Sequence, residues 1–195
     1  ERITKASDGR LNVKVFAAGE LVDAMGCFDA VSQGQADMGH DSSSYHIEKL
    51  PAAGFFSAMP MGLTAGELNG WIYFGGGQEL WDELYARFGV KAFLAGNTGA
   101  QMGGWFRKEV GSVADLKGLK FRITGHGAQA LARLGVEIVP LPNGEIFSNL
   151  QSGAIDGAEW VGPYNDLSLG FYKITKLYYW PGFHEPGSAT QCMVN

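Results

Sequence analysis

Hydrophobic residues in this sequence switch repeatedly between a period of two and a period near 3.6, and this switching limits the possible folds more than any other feature. Alternating stretches such as Leu11–Phe16 and Leu119–Ile123 are typical of strands. Between them, Glu20–Gln33 places large apolar residues three or four positions apart, as one face of a helix requires. Strands that alternate with helices indicate α/β layers, and we expect the strand pairing to be largely parallel.

Gly and Pro residues mark where the predicted elements end. The long helical pattern of Glu67–Phe88 contains Gly75–Gly77, where we expect a break. Other strands are predicted at 36–39, 90–95, 102–107, 136–141, 155–161 and 176–180. Other helices are predicted at 1–7, 125–134, 143–151 and 163–174.

The composition is that of a globular protein with an acidic balance. Of 195 residues, 46% are hydrophobic and 18% are charged, and the net charge is −5. A protein that binds a nucleic-acid backbone needs a basic stripe, so we expect no nucleic-acid partner. An anionic small molecule held by one local Arg stays compatible with this charge. No apolar run reaches the ~20 residues that cross a bilayer.

The two ends of the sequence suggest a piece of a longer gene product. There is no initial Met, the chain begins inside a helical pattern, and it ends in the apolar stretch Cys192–Asn195. Domain ends usually lie in exposed polar segments, which neither end resembles.

Sequence motifs typical of common enzymes are missing. The four His residues form neither HExxH nor another paired-ligand spacing, which argues against a zinc enzyme. There is no G-x-S-x-G nucleophile turn. We therefore expect neither a zinc enzyme nor a serine hydrolase with this turn.

The segment Lys120–Gly127 is predicted to form a strand, a glycine turn and the start of a helix. Arg122 lies near the strand end, where its guanidinium could bind a carboxylate in a bidentate manner. From this segment alone, an Arg that pairs with a surface acid is an equally good interpretation.

Gly125, Gly127 and Ala130 also fit G-x-G-x-x-A, a weak form of the dinucleotide fingerprint. That motif needs an acid at the end of the next strand, about 20 residues on. The next predicted strand ends at Pro140–Pro142 without an acid, and Glu145 lies beyond the turn in the following helix. A fragment of a dinucleotide-binding oxidoreductase is therefore the alternative function.

Two carboxylates, Glu159 and Glu185, each follow a strand-like run between Gly and Pro residues. Ligands bind at strand ends in α/β sheets, which makes these two side chains candidates for a site. Exposure in a surface turn is the usual position of Glu, and the residues alone favour it. On that interpretation the chain is an interaction module without a small ligand.

Five stretches of the sequence together carry a family resemblance: Gly19–Val22, Ala36–His40, Leu116–Arg122, Ile155–Trp160 and Gly182–Gly187. They resemble the periplasmic substrate-binding proteins of tripartite ATP-independent periplasmic (TRAP) transporters, in the dicarboxylate-type branch. Within that branch the sequence is similar to the subgroup that binds 2-oxo acids such as pyruvate, or lactate. The resemblance covers essentially the whole chain.

The resemblance implies an α/β fold of two lobes that close on a ligand, incomplete at both termini. The implied first lobe is 1–98 with 162–182, and the implied second lobe is 99–160 with 186–195. The chain would cross between the lobes at 97–101, 159–161 and 183–186.

The resemblance also implies a cation, Na⁺ or Ca²⁺, beside the ligand. Its implied ligands are Gln101, the Glu159 side chain, the Trp160 backbone carbonyl and Glu185. The charge count agrees, because two glutamates and a ligand carboxylate would otherwise be buried against the single positive charge of Arg122. A hard cation with oxygen ligands relieves that imbalance.

The residues implied to contact the ligand are Arg122, which takes its carboxylate, and Gln101, Trp160, Glu185 and Tyr45. The implied protein is a periplasmic, non-catalytic binding component that delivers a small carboxylate to TRAP membrane subunits. Homodimers in the subgroup form through a long C-terminal helix that this sequence lacks. We therefore expect a homodimer of the longer relatives more than of this chain.

Overall fold

The computed structural model describes residues 2–195. The helices are α1 (Arg2–Ala6), α2 (Cys27–Ser32), α3 (Ala65–Phe74), α4 (Gly77–Ala86), α5 (Gly125–Arg133), α6 (Asn143–Ser152) and α7 (Pro163–Leu169). The strands are β1 (Met38–Asp41), β2 (Lys91–Asn97), β3 (Gly104–Phe106), β4 (Lys120–Arg122), β5 (Glu137–Ile138), β6 (Gly157–Ala158), β7 (Leu177–Tyr179) and β8 (Ala189–Val194). None of the described helices has the length and hydrophobicity needed to span a membrane.

The first lobe is built on a three-stranded sheet in the order β1-β8-β2, in which β8 is antiparallel to both neighbours. Helices α2, α3 and α4 pack against these strands. Their core is aromatic: the Trp81 ring stacks on Phe56 with centroids 5.0 Å apart, and Tyr85 and Met193 are fully buried beside it. Burial of these large side chains stabilises this lobe.

The second lobe is built on a five-stranded sheet in the order β5-β4-β6-β3-β7. Strand β4 is parallel to β5 and β6, whereas β3 is antiparallel to β6 and β7. One core cluster gathers around Ile146 and Leu150 of α6, and another around Phe121 and Leu131. Because β4 and β6 are parallel and adjacent, their carboxyl ends meet at the same sheet edge.

The α/β class is confirmed, but the expectation of largely parallel pairing is wrong. Only the β4–β5 and β4–β6 pairs are parallel among the strands described. The chain enters the second sheet at β3, stays in it through β7 and returns to the first sheet at β8, and both β3 and β8 run against their neighbours. The predicted crossing at 159–161 is therefore wrong, because this segment connects β6 to β7 within the second sheet. Short-range periodicity carries no information about such non-local pairing.

The lobe assignment of the last two segments is also wrong. In segment 162–182, β7 pairs with β3 and therefore belongs to the second sheet, not the first. In segment 186–195, β8 pairs with β1 and β2 of the first sheet. Alternate side chains of β8 are buried, and Ala189 and Met193 complete the aromatic core of the first lobe.

Two predicted elements at the start of the chain differ from the structure. Leu11–Phe16 forms no strand among the described residues, and Val15 is 83% exposed. Alternation is insufficient where no neighbouring strand is available for pairing. Within Glu20–Gln33, only Cys27–Ser32 is α-helical, after a short 3₁₀ turn. Helix α1 covers Arg2–Ala6 of the predicted first helix, and Glu1 lies outside the described residues.

The predicted break at Gly75–Gly77 is confirmed. Helix α3 ends at Phe74 and α4 begins at Gly77, and Gly76 between them has a φ of +85°. That left-handed conformation costs little only for glycine.

Candidate ligand and cation site

Three chain segments run side by side between the two sheets and are joined by backbone hydrogen bonds. The Gln101 amide donates to the Glu185 carbonyl at 3.0 Å, and the Met102 amide donates to the Val161 carbonyl at 2.9 Å. A Cβ on Gly182 would lie 2.5 Å from the Gln101 carbonyl oxygen, so this close approach requires glycine. These contacts bring the predicted residues of all three segments together.

The register of the second sheet places Arg122 beside Glu159. Arg122 pairs with Ala158 across the parallel strands β4 and β6, so the next residue along the chain is Glu159. The Arg122 Nη1 group donates to Glu159 Oε1 at 2.6 Å and to the Glu159 carbonyl at 2.9 Å. Both side chains are almost completely buried, which excludes the surface ion pair that the segment alone allowed.

The Arg122 guanidinium is held on several sides and has one group left for a ligand. Its Nε donates to the Leu141 carbonyl at 3.0 Å, and its Cζ lies 5.2 Å from the centroid of the Trp160 ring. Nη2 makes no hydrogen bond to any residue in 2–195. A fixed guanidinium with a free amino group is suited to binding a carboxylate.

Gln101 supplies a buried oxygen without a partner. Its Nε2 donates to Glu185 Oε2 at 2.5 Å and to Thr98 Oγ1 at 3.2 Å. Its Oε1 is buried and accepts no hydrogen bond from the described residues. Leaving such an acceptor unsatisfied costs about 1–3 kcal/mol, so a cation or a donor that reached it would be favourable.

Trp160 supplies a second free oxygen. Its ring is half-buried against Arg122, while its backbone carbonyl accepts no hydrogen bond within residues 2–195. The carbonyl follows Glu159 directly, where segment 159–161 leaves β6.

Glu185 is a strongly perturbed carboxyl group. Burial raises its pKa to about 7, and the Glu159 charge adds to this increase, while His184, Ser188 and Arg122 oppose it. Its ionised form is therefore held at a cost that a nearby cation would remove.

His184 belongs to this cluster and was absent from the predicted set. Its side chain is 1% exposed, and its Nε2 lies 3.5 Å from Glu159 Oε2. Burial alone would lower the pKa of His184, but the negative charges of Glu159 and Glu185 outweigh it and raise the pKa. Its position next to Glu185 in Gly182–Gly187 was the available sequence signal.

Tyr45 comes from the first lobe, in the 3₁₀ helix Ser43–His46 that follows β1. Burial raises the pKa of its hydroxyl; Arg122 opposes this increase, while Glu159 and Glu185 add to it. The Tyr45 hydroxyl therefore lies within electrostatic range of Arg122, Glu159 and Glu185. It stays protonated at neutral pH and can donate a hydrogen bond.

The oxygen atoms collected here fit a hard cation. Two carboxylates, the free Gln101 Oε1 and the free Trp160 carbonyl are the ligand types that Na⁺ and Ca²⁺ prefer. Residues 2–195 contain no group of three or more His, Cys, Asp or Glu side chains arranged to hold a metal. The donor set thus differs from that of a zinc or other transition-metal centre.

A large apolar cavity of the described chain lies elsewhere. It has a volume of about 840 Å³, belongs to the first lobe, and is lined by apolar side chains such as Phe56, Leu68 and Trp71. It contains none of the predicted site residues, so we do not place the carboxylate site there.

The glycines of the alternative dinucleotide motif are packed against protein. A Cβ on Gly125 would lie 3.2 Å from the Ser44 Cβ, and one on Gly127 would lie 2.6 Å from the His184 Cβ. A phosphate cradle needs open backbone amides at this turn. Glu145, the only candidate for the ribose, is an exposed residue of α6.

Comparisons with known proteins show which family the chain resembles. The family described as bacterial extracellular solute-binding protein, family 7, matches residues 1–195. The chain is 50% identical over 195 residues to the monocarboxylate 2-oxoacid-binding periplasmic protein of Nostoc sp. strain PCC 7120 and covers 54% of that protein.

Solved structures of TRAP periplasmic solute-binding proteins superpose closely. The protein from Pseudoalteromonas atlantica, with bound sodium and pyruvate, is 46% identical with a TM-score of 0.95. The protein from Colwellia psychrerythraea, with bound calcium and pyruvate, is 45% identical with a TM-score of 0.95. The match covers 99% of this chain and 58% of each of those chains.

The chain therefore spans little more than half the length of these relatives. The two-lobed α/β fold and the resemblance to the 2-oxo-acid branch of TRAP binding proteins are both confirmed. With its whole length matched, the chain belongs to family 7 of the bacterial extracellular solute-binding proteins.

Proposed function

We propose that the protein is the periplasmic solute-binding component of a TRAP transporter and captures a small monocarboxylate, a 2-oxo acid such as pyruvate, or lactate. The observation that carries this proposal is the buried Arg122, which is fixed by three hydrogen bonds and has a free Nη2 at the junction of the crossings. Relatives at 45–50% identity are named for, or hold, ligands of this class.

Each ligand-contacting residue has a separate task in this proposal. The Arg122 Nη2 donates to the ligand carboxylate, and the stacked Trp160 ring keeps the guanidinium plane oriented. The Tyr45 hydroxyl donates from the opposite lobe. Because donors come from both lobes, the ligand favours the closed arrangement, which the membrane subunits would recognise.

A cation, Na⁺ or Ca²⁺, is part of the proposed site. Gln101 Oε1, the Glu159 and Glu185 side chains and the Trp160 carbonyl would hold it. When bound, it supplies the positive charge that two glutamates and a ligand carboxylate need in a buried site. His184 supplies part of that charge when protonated, which lowers the negative excess that the cation must balance.

A homodimer of the longer protein is a finer part of the proposal. The similar protein from Bordetella bronchiseptica, 42% identical with a TM-score of 0.96, is described as a dimer with calcium and picolinate in its active site. The alternative of a dinucleotide-binding oxidoreductase has no support from the family or from the packed Gly125–Gly127 turn.

Calorimetric titration tests the proposal directly. The chain is titrated with pyruvate in buffer free of Na⁺ and Ca²⁺, and then with each cation restored. Binding that needs a cation supports the ligand class and the cation site together. Equal pyruvate affinity with and without cations would refute the proposed cation site. Binding of NAD, but of no oxo or hydroxy acid, would favour the alternative oxidoreductase. A parallel titration of the Nostoc relative calibrates the signal.

A further inference from the structure

The turn at the start of α5 touches the opposite lobe, and the carboxylate site does not account for this contact. Gly125, His126 and Gly127 belong to the second lobe, because α5 lies between strands β4 and β5 of its sheet. The segment they face, the 3₁₀ helix Pro51–Phe56, lies between strands β1 and β2 of the first sheet.

The His126 imidazole lies directly over Gly54. A Cβ on Gly54 would be 2.4 Å from Nε2 and 2.6 Å from Cδ2 of His126, a separation that real side chains do not tolerate. The Phe55 ring flanks the imidazole, with centroids 5.6 Å apart. The ring of one lobe thus fills a niche that exists only because the other lobe has no side chain at position 54.

The glycines on either side of His126 allow this insertion. Gly125 has a φ of +70° and leaves only enough room for Ser44 of the first lobe. Gly127 approaches His184, which lies in the segment between β7 and β8. Together they let the backbone at the start of α5 come close to both the first lobe and a crossing.

The hydrogen bonding of the two His126 ring nitrogens indicates a contact that opens and closes rather than a permanently buried one. Its Nδ1 lies 3.2 Å from the amide oxygen of Gln129, an acceptor, so we assign the proton of the neutral ring to Nδ1. Its Nε2 is buried and has no hydrogen-bond partner among the described residues. Water can satisfy Nε2 only when the lobes separate, so the imidazole suits a surface that is alternately exposed and covered.

We propose that Gly125-His126-Gly127 is an interlobe latch, in which the His126 imidazole seats on Gly54 and determines how tightly the lobes close on the ligand. The proposal rests on the proposed function for its ligand, but the contact itself does not. Arg122 ends β4 only three residues before Gly125, so the carboxylate-binding group and the latch approach the first lobe together.

The test uses Gly54→Ala, which blocks the niche, and the matched control Gly66→Ala. Gly66 is an exposed residue of α3 whose Cβ would meet nothing within 4 Å. In saturating Ca²⁺, we expect Gly54→Ala to weaken pyruvate binding at least tenfold and Gly66→Ala to leave it unchanged. Pyruvate affinity of Gly54→Ala within twofold of wild type would overturn the latch.

A double variant separates a blocked latch from a damaged fold. His126→Ala alone should weaken pyruvate binding several-fold, and adding Gly54→Ala should weaken it no further, because the clashing ring has gone. Additive losses in the double variant would contradict the proposal. Circular dichroism should show the same unfolding midpoint for Gly54→Ala and wild type, because its two closest contacts lie in the other lobe.

A nuclear Overhauser effect between His126 Hδ2 and Gly54 Hα gives a readout that needs no ligand. The structure predicts it in the chain alone, and its absence there would overturn the latch. If wild type binds no pyruvate in any buffer, the proposed ligand fails, while this effect still decides the latch by itself.

Discussion

Three buried carboxylates lie near segment 159–161, and Asp166 differs from the other two, Glu159 and Glu185, in its surroundings. Asp166, on α7, is fully satisfied by protein donors. Its Oδ2 accepts from the Trp105 indole at 2.9 Å and from the Tyr178 hydroxyl at 2.8 Å. Its Oδ1 accepts from the Val161 and Gly162 amides, both at 3.1 Å. This carboxylate holds the backbone at Val161 and Gly162 against the second sheet.

The two glutamates of the candidate site also accept hydrogen bonds from protein donors, but they are buried close to each other. Glu185 has a pKa raised to about 7, mainly by burial and also by the charge of Glu159. Beside them, Gln101 Oε1 has no hydrogen bond from the described residues. The difference teaches that a lone buried carboxylate satisfied by protein donors serves stability, whereas two adjacent buried carboxylates beside an unsatisfied amide oxygen indicate a ligand or a cation.

The largest effect is expected from Arg122→Ala. Each charge-assisted hydrogen bond to a ligand carboxylate contributes about 1.5–3 kcal/mol, and the variant also leaves Glu159 buried without its partner. Pyruvate affinity should fall at least about 10-fold, which calorimetry in saturating Ca²⁺ will measure. Arg122→Lys keeps the charge and loses the planar fork, so it should bind weakly. Wild-type affinity in Arg122→Ala would remove Arg122 from the site.

Asp166→Asn should act on stability. The new amide group cannot accept from the donors that the lost carboxylate oxygen satisfied, and two unsatisfied buried donors cost about 3 kcal/mol of unfolding free energy. Urea denaturation measures this loss. The matched variant Asp23→Asn, at an exposed residue without a cap hydrogen bond, should change nothing. If Asp166→Asn proved as stable as Asp23→Asn, the Asp166 carboxylate would have no stabilising role, and the contrast with the site glutamates would fail.

Glu185→Gln should act on the pH dependence of stability. The folded pKa of Glu185 is raised above its unfolded value near 4.5, so the folded chain binds the extra proton between pH 4.5 and 7. The unfolding free energy should therefore decrease as pH rises through this window, by up to about 3 kcal/mol in the absence of ligand and cation. In Glu185→Gln that decrease should be smaller by this amount. Identical pH profiles would contradict the assignment.

Calcium should have the smallest effect. A cation that binds only the folded chain stabilises it by about 2.7 kcal/mol at a concentration 100 times its Kd. The unfolding midpoint of wild type should rise by a few degrees with Ca²⁺, and that of Glu185→Gln should rise much less. Mg²⁺ is the control, since it prefers a tighter, octahedral set of oxygens. An equal rise in both proteins would place the ion elsewhere.

Strong local patterns predicted many individual elements. The helices α4, α5 and α6 and the break before Gly77 follow from spacing and glycine positions in the sequence. The residues of the candidate site were found differently: Arg122 stood out at a strand end, but its assignment and those of the cation ligands came from the family resemblance. These assignments stay predictions until the titrations above are made.

Several features were beyond prediction because they depend on residues far apart in the chain. Strand β8 pairs with β1 and β2, which precede it by some 100 to 150 positions, so its place in the first lobe could not be deduced from its own alternation. His184 gained its importance only from the nearby Glu159, and Gly54 only from the ring of His126.

By itself, then, the sequence determined the α/β class, the type of most periodic elements and the position of one Arg at a strand end. The tertiary structure alone decided which strands pair, which carboxylates are buried together and which polar atoms of the site lack a partner among the described residues. The physical reason is the distance along the chain over which each effect acts. Periodicity and turn chemistry depend on a few neighbouring residues, whereas burial, charge and hydrogen-bond satisfaction depend on residues that the whole fold brings into contact.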